Sequence, residues 1–575
     1  MDPGSPFRRS SSSYVHGVSE TPLRGITVSA LLSETSSAFP DSDAVVAPHQ
    51  GIRWSYGDLN RRVDLAAAGL LSIGLQPGDR IGLLAPNITE WVVLQFATAR
   101  AGLILVNINP AYRIPELEFA LNQVGVKALV TVHGHKSSNY HEMLLELMPE
   151  LATDAPGTIS SAVVPSLKWL IGIGDTGYPD STINAISTLD EIIERADSSS
   201  IKRIKQIESS LQFDDPINIQ FTSGTTGRPK ASTLTHHNIV NNAYFSGLQM
   251  QLGHEDRMCI PVPMYHCFGM VLGTLCCIAH GATMVFPSSG FDPEACLDAI
   301  ENERCTVFHG VPTMFIAVLE SPDFAKRDLR TLRTGIMAGA PCPAELMRRV
   351  ITEMNMREIT IAYGMTETGP VSTQTSVSDP IEKRVETVGR ILPHTEIKIV
   401  DRDGKVLPVG EAGELLTRGY CVMPKYWNDP EKTANAIDEA RWIASGDLAT
   451  MDAEGYFRIV GRIKDMLIRG GENIFPREIE DFLYTHPAIE EVEVIGVPDE
   501  KYGEEVCAWV KVRAGHSVRE EGIREFCKGK IAHFKIPKYI RFVDSFPMTI
   551  TGKVQKYKMR EIMANEMAGK PMEPS

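Results

Sequence analysis

Residues 222–230 combine glycines, hydroxyl side chains and a lysine in a pattern that suits a polyphosphate. The segment reads Thr-Ser-Gly-Thr-Thr-Gly-Arg-Pro-Lys and follows an apolar run at 217–221, which predicts a strand that ends in this loop. Glycines let the backbone approach a ligand closely, successive N–H groups form an anion nest, and the hydroxyls and the lysine add donors. The Gly-x-x-Gly-x-x-Lys spacing differs from GxxxxGK[ST], which disfavours a P-loop NTPase. The candidate phosphate ligands are Thr222, Ser223, Gly224, Thr225, Thr226, Gly227 and Lys230.

Four further segments carry chemically useful groups. Residues 361–369 place an aromatic ring, two threonines and a carboxylate after a predicted strand. Ser-Gly-Asp at 445–447 offers one carboxylate at a turn, and residues 461–474 contain several charged side chains and a Gly-Gly pair. A lysine follows a glycine in Thr-Ile-Thr-Gly-Lys at 549–553, close to the end of the chain.

These five segments, in this order, resemble the adenylate-forming superfamily of acyl- and aryl-CoA synthetases, peptide-synthetase adenylation domains and luciferases. The resemblance covers roughly residues 56–560, nearly the whole chain. Residues 526–539 further resemble the medium-chain branch of acyl-CoA synthetases, family member 2. Their sequence is Phe-Cys-Lys-Gly-Lys-Ile-Ala-His-Phe-Lys-Ile-Pro-Lys-Tyr.

The resemblance implies a reaction in two steps that uses ATP, Mg²⁺ and CoA. A carboxylate attacks the α-phosphate of Mg-ATP and releases pyrophosphate, and the thiol of CoA then attacks the acyl-adenylate and releases AMP. The first step gathers negative charge on the phosphates, so it needs positioning, a divalent ion and aimed cations more than a nucleophilic side chain.

The resemblance also assigns roles to individual residues. For the nucleotide, it implies that the loop 222–230 holds the β- and γ-phosphates, that Tyr363 stacks on adenine, and that Thr366 contacts the α-phosphate. It further implies that Glu367 holds Mg²⁺. The other implied nucleotide contacts are Gly339, Ala340 and Pro341 beside adenine, Asp447 on the ribose hydroxyls and Arg462 near the ribose.

Lys553 is the lysine that bridges the acyl carboxylate and the α-phosphate in this family, during adenylation only. Lys464 matches the hinge between the two domains, and Gly470 and Gly471 match glycines that line the pantetheine tunnel after rotation. His266 matches a position that gates the acyl site.

The acid substrate is expected to be a short- or medium-chain fatty acid. Three segments that are small and apolar in character, 266–270, 308–314 and 335–340, are expected to line its pocket.

Other functions stay open on sequence grounds. An adenylation enzyme that passes its product to a carrier protein or an amine is the nearest alternative, although a peptide-synthetase domain would need an acidic residue where His266 and Cys267 stand. A luciferase-type oxygenase shares every motif. A catalytically idle nucleotide-binding scaffold is disfavoured by the complete set of charged residues.

The elements that must position these groups predict an α/β fold. Short apolar runs alternate with helical patterns through the first part of the chain, which is typical of βαβ units on parallel sheets. Short strands punctuated by Gly and Asp after Gly389 favour an antiparallel sheet or a small barrel. We therefore expect a disordered tail at 1–25, a large N-terminal domain of two layered sheets and a small β-barrel at 26–461, and a small mobile α+β domain at 462–575.

Two local expectations accompany this plan. The serines at 198–200 and the charged segment after them suggest a surface connection. Residues 267–286 carry no formal charge over twenty positions. Because this stretch contains glycines and a histidine, it is interpreted as a buried helix, a turn at Gly281 and a core strand rather than as a membrane span.

Composition narrows the partners. The chain has 575 residues, 57 basic and 72 acidic residues and a net charge of −15, which argues against nucleic-acid binding. Ten scattered cysteines predict neither a disulfide framework nor a metal site. With no secretory signal pattern, an intracellular, soluble protein is expected, cytoplasmic or organellar, and the sequence leaves a homodimer open. Because ATP and CoA are anionic, their binding must rest on a few placed cations such as Lys230, Arg462 and Lys553.

Overall fold

The computed structural model describes residues 11–174, 183–222, 229–470, 472–548 and 553–567. The fold is mixed α/β, with a large N-terminal domain and a small C-terminal domain, as the sequence predicts. Two large sheets form the N-terminal domain, because its βα alternation brings successive strands side by side in parallel. The fully buried Trp91 and Phe96 belong to its largest apolar cluster.

The two large sheets carry most of the candidate site residues on their strand ends. The first is parallel over six strands and antiparallel over the last two; its strands, in spatial order, are Ile186–Thr188, Trp169–Ile173, Val126–Val132, Arg80–Leu84, Ile104–Asn107, Pro216–Thr222, Lys230–Thr235 and Lys425–Tyr426. The second is parallel in its centre; its strands are Arg390–Ile391, Val371–Gln374, Glu358–Gly364, Thr334–Met337, Val307–Phe308, Arg257–Cys259, Thr283–Val285, Asp43–Ala47 and Ile52–Ser55.

Helices cover these sheets, and several of them start at a polar side chain that caps them. Ser55, for example, accepts a hydrogen bond from the Asp58 N–H at the start of helix Tyr56–Ser72, and the Asp58 carboxylate accepts one from the Ser55 N–H. The α-helices of the N-terminal domain are Val28–Ala38, Tyr56–Ser72, Thr89–Arg100, Ile114–Val124, Tyr140–Leu147, Leu189–Glu194, Ser198–Ser210, His236–Gln249, Cys276–His280, Pro293–Asn302, Pro312–Leu319, Ala344–Glu353, Ile381–Glu386 and Pro430–Ala436.

A third, antiparallel sheet completes the N-terminal domain and orders part of the expected tail. Its strands, in spatial order, are Tyr14–His16, Thr395–Val400, Gly413–Gly419, Ile443–Met451 and Phe457–Arg462. The edge strand Tyr14–His16 pairs with Thr395–Val400, and the Tyr14 hydroxyl donates to Glu396 at 2.7 Å. The expectation of disorder is therefore wrong for this part of the segment 1–25, because an open sheet edge provides backbone partners for it.

The segment after Ala196 is a helix and not the surface connection that its serines suggest. Asp197 accepts hydrogen bonds from the N–H groups of Ser199 and Ser200, which caps helix Ser198–Ser210. Ile204 and Ile207 are buried on its inner face. The polar start of this segment is thus a helix cap, and its sparse apolar residues recur at helical spacing.

The uncharged segment 267–286 folds inside the N-terminal domain. Phe268–Leu275 form a π-helix that continues into helix Cys276–His280, a turn follows at Gly281 with φ of 75°, and Thr283–Val285 form a core strand. None of the helices in the described ranges is long and apolar enough to cross a membrane.

The C-terminal domain packs three helices on a five-stranded sheet. The strands are Glu472–Ile474, Leu467–Arg469, Gly503–Val512, Ile489–Asp499 and Tyr539–Phe542, and the helices are Pro476–Leu483, Glu520–Cys527 and Lys556–Met567. Within it, Lys556 is held by Glu480 and by Glu493, whose carboxylate lies 3.0 Å from the ammonium group. This ion-pair cluster fixes the start of the last helix, three residues after Lys553.

Candidate active site

The phosphate-loop candidate begins and ends on two adjacent strands. Thr222 closes one strand and Lys230 opens the next, and the antiparallel register places them opposite each other. Side chains of such paired residues lie on the same face of a sheet, so a hydroxyl and an ammonium group stand together. The intervening candidates Ser223, Gly224, Thr225, Thr226 and Gly227 lie outside the described residues.

Glu367 lies in a buried turn, with two hydroxyl donors on one of its carboxylate oxygens. Thr366 and Glu367 follow strand Glu358–Gly364 and are only 7% and 8% exposed. Oε1 of Glu367 accepts hydrogen bonds from Thr222 Oγ1 at 3.0 Å and from the Tyr426 hydroxyl at 2.8 Å. Among the described residues, both hydrogen bonds to the Glu367 carboxylate go to Oε1 and none goes to Oε2.

Tyr426 is a site residue that the sequence analysis missed. Strand Lys425–Tyr426 pairs with the strand that starts at Lys230, and the Tyr426 side chain is buried. The ammonium group of Lys230 lies 5.1 Å from the centre of the Tyr426 ring, a cation–π distance. Burial and Glu367 raise the pKa of Tyr426, so its hydroxyl stays protonated and donates. One tyrosine therefore contacts both the phosphate-loop lysine and the Glu367 carboxylate.

Tyr363, Asp447 and Arg462 form a second polar group, at the junction of two sheets. The Tyr363 hydroxyl donates to Asp447 Oδ2 at 2.7 Å, and Arg462 Nε donates to Oδ1 at 3.1 Å. Asp447 and Arg462 are direct partners in neighbouring antiparallel strands, which explains why residues fifteen positions apart meet. Burial and the Asp447 charge raise the pKa of Tyr363 well above its ordinary value.

The turn Gly339, Ala340, Pro341 lies at the same end of the nine-stranded sheet as Tyr363. It follows strand Thr334–Met337, which runs parallel to the strand that carries Tyr363. Gly339 has φ of 85°, a conformation that favours glycine. Gly339 and Pro341 are exposed, so this turn is open to a planar ligand beside the tyrosine ring.

Lys553 brings the C-terminal domain into this group of residues. Its ammonium group interacts electrostatically with Glu367, Asp447 and Arg462. Burial, followed by the repulsion of Arg462, lowers the pKa of Lys553, while the carboxylates act in the opposite direction. The structure thus places a cation from the end of the chain between the two polar groups of the N-terminal domain.

His266 and Cys267 adjoin Lys553 on the side of the π-helix. The Phe268 N–H donates to His266 Nδ1 at 3.2 Å, and Cys267 Sγ lies 3.6 Å from Thr366 Oγ1. Burial and the nearby Lys553 lower the pKa of His266 to about 3, and burial raises the pKa of Cys267 to about 11. Both side chains are therefore uncharged near neutral pH.

The hinge candidate Lys464 interacts electrostatically with Arg462 and Asp447, whereas the tunnel candidate Gly470 bonds within the C-terminal domain. Lys464 is exposed in the short turn Ile463–Asp465 that follows Arg462. Gly470, with φ of 59°, donates its N–H to the Tyr502 carbonyl at 2.9 Å inside the C-terminal domain. Gly471 lies outside the described residues. In this conformation Lys553 interacts electrostatically with Glu367.

The carboxylates present suit a metal ion that arrives with a polyphosphate. Among the described residues there is no cluster of three or more His, Cys, Asp or Glu side chains that could hold an ion alone. Mg²⁺ is usually bound by one or two carboxylates together with substrate phosphates and water. A single carboxylate with one oxygen turned toward the phosphate-loop residues, as in Glu367, fits that mode of binding.

Comparisons with known proteins place this arrangement in a family context. A model of the AMP-binding enzyme family matches residues 32–427, and a model of the AMP-binding enzyme C-terminal domain matches residues 478–553. The medium-chain acyl-CoA ligase ACSF2, mitochondrial, of Danio rerio is 49% identical over 553 residues, covering 96% of this chain and 90% of that protein. The human ACSF2 is 45% identical over 564 residues, with the same coverage.

A bacterial relative and two solved structures extend the comparison. The putative acyl-CoA synthetase YngI of Bacillus subtilis (strain 168) is 49% identical over 537 residues, covering 93% of this chain and 96% of that protein. The anthranilate CoA ligase AuaEII in complex with anthranoyl-AMP superposes with a TM-score of 0.81 at 25% identity, covering 96% of this chain and 99% of that chain. ATP-bound MatB from Rhodopseudomonas palustris gives 0.78 at 29% identity, covering 94% and 100%.

Proposed function

This chain belongs to the family of AMP-binding enzymes, and we propose that it is an AMP-forming acyl-CoA synthetase whose acid substrate is a medium-chain fatty acid. The observation that carries the proposal is the position of Lys553 among Glu367, Asp447 and Arg462. A cation beside the nucleotide residues, contributed by a separate domain, suits the adenylation step. The relatives named as acyl-CoA ligases over almost their whole length support the thiol as acceptor.

In the first step an oxygen of the acid carboxylate attacks the α-phosphorus of ATP, and the bond to pyrophosphate breaks. Lys553 would bridge the carboxylate and the α-phosphate, which reduces their repulsion and stabilises the charge of the transition state. The Thr366 hydroxyl would donate to an α-phosphate oxygen. His266, uncharged and next to Cys267, would close the acid side of the reaction centre without adding charge.

The nucleoside and the distal phosphates would be held by groups that already stand in place. Tyr363 and the turn 339–341 would enclose adenine, while Asp447 would accept hydrogen bonds from the ribose hydroxyls beside Arg462. Thr222, Lys230 and the loop 223–227 would bind the β- and γ-phosphates. Short hydrogen bonds among Tyr363, Asp447 and Arg462 support a site that needs little rearrangement to receive ATP.

Glu367 would hold Mg²⁺ together with the phosphates. The ion would neutralise charge on the departing pyrophosphate. The Thr222 and Tyr426 hydroxyls, both on Oε1, would keep the other oxygen of Glu367 turned toward it.

In the second step the CoA thiol attacks the carbonyl carbon of the acyl-adenylate and AMP leaves. We propose that the domain 462–575 turns about Lys464 after adenylation, which withdraws Lys553 and brings Gly470 and Gly471 to line the passage for pantetheine. The exposure of Lys464 in a three-residue turn supports this hinge.

The alternative of an amine-bearing acid on a carrier pathway is less well supported. Such a substrate needs an anionic partner near the reaction centre, and the residues at that position are the neutral His266 and Cys267. An idle scaffold would have no need of Lys230, Glu367, Asp447, Arg462 and Lys553 in one cluster.

The test is acid-dependent pyrophosphate release from Mg-ATP by the full-length protein, followed by thioester formation with CoA. The panel runs from acetate to palmitate and includes aryl acids and amino acids. We expect release and thioester formation with medium-chain fatty acids. Release with amino acids alone, or no release with any acid, contradicts the proposal.

Because the vertebrate relatives are named as mitochondrial proteins, we also propose that this chain is located in mitochondria, which imaging of the tagged full-length chain tests.

A further inference from the structure

One buried histidine, His309, joins the three segments that are expected to line the acid pocket. It follows strand Val307–Phe308 and is fully buried. Its Nε2 lies 3.1 Å from the Leu272 carbonyl, and its Nδ1 accepts a hydrogen bond from the Ile336 N–H at 3.2 Å. The ring centre lies 5.7 Å from that of Phe268. His309 itself lies in segment 308–314, and it contacts segment 266–270 through Phe268 and segment 335–340 through Ile336, while Leu272 lies two residues beyond the first segment.

The segment held at Leu272 is the π-helix Phe268–Leu275, which begins beside His266 and Cys267. A π-helix of eight residues is rare, because its geometry is poorer than that of an α-helix, and such segments occur mostly at functional sites. A second buried side chain, Gln95, donates to the Met270 carbonyl at 3.3 Å. Side chains from outside the helix therefore hold its carbonyl groups.

The π-helix also has no room to shift toward the loop before it. A Cβ atom on Gly269 would lie 2.3 Å from the Pro263 carbonyl oxygen, which real side chains do not tolerate. The backbone at Pro263 therefore blocks one side of the π-helix. On its other sides, the position of the π-helix depends on the hydrogen bonds that His309 and Gln95 make to it.

His309 has no hydrogen-bonding capacity left for a ligand. A neutral imidazole has one donor and one acceptor, and both are used by backbone groups of Leu272 and Ile336. Burial lowers its pKa to about 4, so the ring is neutral near neutral pH. Phe268, whose ring contacts His309, is apolar and buried, and so are Val311 and Met314 of the segment that contains His309. The surface that these residues offer to an acid is therefore a hydrocarbon surface.

We propose that His309 is a positioning residue that sets the depth of the acid pocket through Leu272 and Ile336, and that the pocket selects unsubstituted hydrocarbon chains. This inference rests on the proposed function, because it assumes that an acid occupies the space between the three segments.

The experiment measures binding of acyl-sulfamoyl adenosines, stable mimics of acyl-adenylates, to the full-length protein by calorimetry. The acyl chains run from butanoyl to dodecanoyl, and one octanoyl probe carries a terminal hydroxyl; AMP serves as the ligand without an acyl chain. His309→Phe removes both hydrogen bonds and keeps a ring, whereas His309→Gln keeps one donor and one acceptor. His236→Phe is the matched control, since His236 is a buried histidine that accepts the Val28 N–H at 3.0 Å.

We expect His309→Phe to weaken the best acyl probe by about tenfold and to flatten or shift the chain-length ranking, because one methylene in a fitted pocket is worth that much. AMP affinity should stay unchanged, and His309→Gln and His236→Phe should keep the wild-type ranking. The hydroxylated probe should bind wild type about tenfold less tightly than octanoyl, because its hydroxyl would be left without a partner.

An unchanged ranking in His309→Phe, or an equal loss of AMP and acyl probes, overturns the role of His309. Equal binding of the hydroxylated probe overturns the hydrocarbon selection. If His309→Phe does not fold, His309→Asn against His309→Gln decides, because the shorter amide cannot reach both backbone groups; equal rankings then overturn the proposal. If the wild-type protein binds AMP but no acyl probe and releases no pyrophosphate with any acid, that result contradicts the proposed function and not the role of His309.

Discussion

The two domains contribute to the candidate site in different ways. In the N-terminal domain, Asp447 bonds to Arg462 on the adjacent strand and to Tyr363 of another sheet, and Glu367 is fixed by two hydroxyl donors. The C-terminal domain adds one ammonium group, Lys553, from a loop near the end of the chain. The residues proposed to bind the nucleotide thus lie in or next to the sheets of the N-terminal domain, whereas Lys553 belongs to the C-terminal domain.

The C-terminal domain holds Lys553 by contacts of its own. Three residues further on, Lys556 is bonded to Glu480 and Glu493, and Arg560 pairs with Asp465 at 2.7 Å. All of these partners lie after Arg462. Because the partners of Lys556 and Arg560 belong to the same domain, this domain can move as a unit and carry Lys553 with it.

The contact between the domains includes like charges. Glu320, at the end of helix Pro312–Leu319, faces Glu490, Lys511 and Arg513 of the C-terminal domain, and burial together with Glu490 raises the pKa of Glu320. Ile463 and Ile468, on either side of the hinge candidate, are 42% and 47% exposed. A polar interface that includes like charges favours a contact between the domains that forms and breaks during the reaction. We therefore expect that mutations at Lys553 and at the hinge affect adenylation and thioester formation to different extents.

The largest effect is expected from Lys553→Ala. Loss of one aimed donor at developing charge lowers the rate of adenylation by about 10²- to 10³-fold, while thioester formation from supplied acyl-AMP is largely spared. The measurements are acid-dependent pyrophosphate release and thioester formation from synthetic acyl-AMP.

Lys558→Ala is the matched control, because Lys558 is an exposed lysine in the first turn of helix Lys556–Met567, five residues after Lys553. Its two rates should stay near wild type. An equal fall of both steps in Lys553→Ala would contradict the division of labour between the domains.

The reverse separation is expected from Lys464→Pro. A proline fixes φ at the hinge, so thioester formation should fall by at least about tenfold while pyrophosphate release persists. Lys464→Ala, which removes the side chain and keeps the backbone free, should retain both steps. Wild-type CoA-dependent turnover by the proline variant would remove Lys464 as the hinge.

A smaller effect, confined to adenylation, is expected from Tyr426→Phe. The change removes a hydrogen bond to a carboxylate, worth about 1.5 kcal/mol or roughly tenfold in rate, and leaves the ring under Lys230. The apparent affinity for Mg²⁺, measured by ATP binding at varied Mg²⁺, should weaken as well.

Tyr14→Phe serves as the control for the tyrosine, since it removes a tyrosine–glutamate hydrogen bond on the third sheet. It should leave both steps unchanged. A Tyr426→Phe variant that loses thioester formation as strongly as adenylation would indicate a general structural role.

The smallest effect is on the pH profiles of the two steps. Burial and Arg462 lower the pKa of Lys553 from 10.5, so adenylation should lose activity as the pH rises through a midpoint below that value, because the deprotonated amine carries no charge. At the midpoint the rate of adenylation should be about half of its value with Lys553 fully protonated. Thioester formation from supplied acyl-AMP should lack this fall.

His266 tests the acidic side of the same profile. Its pKa of about 3 keeps it neutral throughout the working range, so His266→Gln should leave the acidic limb in place. A shifted acidic limb in that variant would show that His266 titrates during the reaction.

Much of the site could be predicted from the sequence because its residues sit in local patterns. Thr222 and Lys230, Thr366 and Glu367, and Lys553 each follow a strand or a glycine turn within a few residues, so the segment itself reports the chemistry. The alternation of strands and helices predicted the layered sheets for the same reason. The roles of these residues stay predictions until the two steps are measured.

Other features had no local signal. Tyr426 and His309 look like ordinary apolar-strand residues, and their importance comes from partners far along the chain, Glu367 for one and Leu272 and Ile336 for the other. The helix Ser198–Ser210 was misread because its cap resembles a polar loop, and strand Tyr14–His16 because its partner lies in the third sheet.

The sequence by itself determined which chemical groups are available in short segments: a Gly- and hydroxyl-rich loop that ends in Lys230, the carboxylates Glu367 and Asp447, and Lys553 near the end of the chain. Only the tertiary structure decided which of them meet. It brought Lys553 near Glu367, Asp447 and Arg462, and it placed Tyr426 in contact with both Lys230 and Glu367. It also joined three pocket segments at His309. The physical reason is that hydrogen bonds and charges act over a few ångströms of space, so long-range pairing of strands and domains, and not position along the chain, determines their partners.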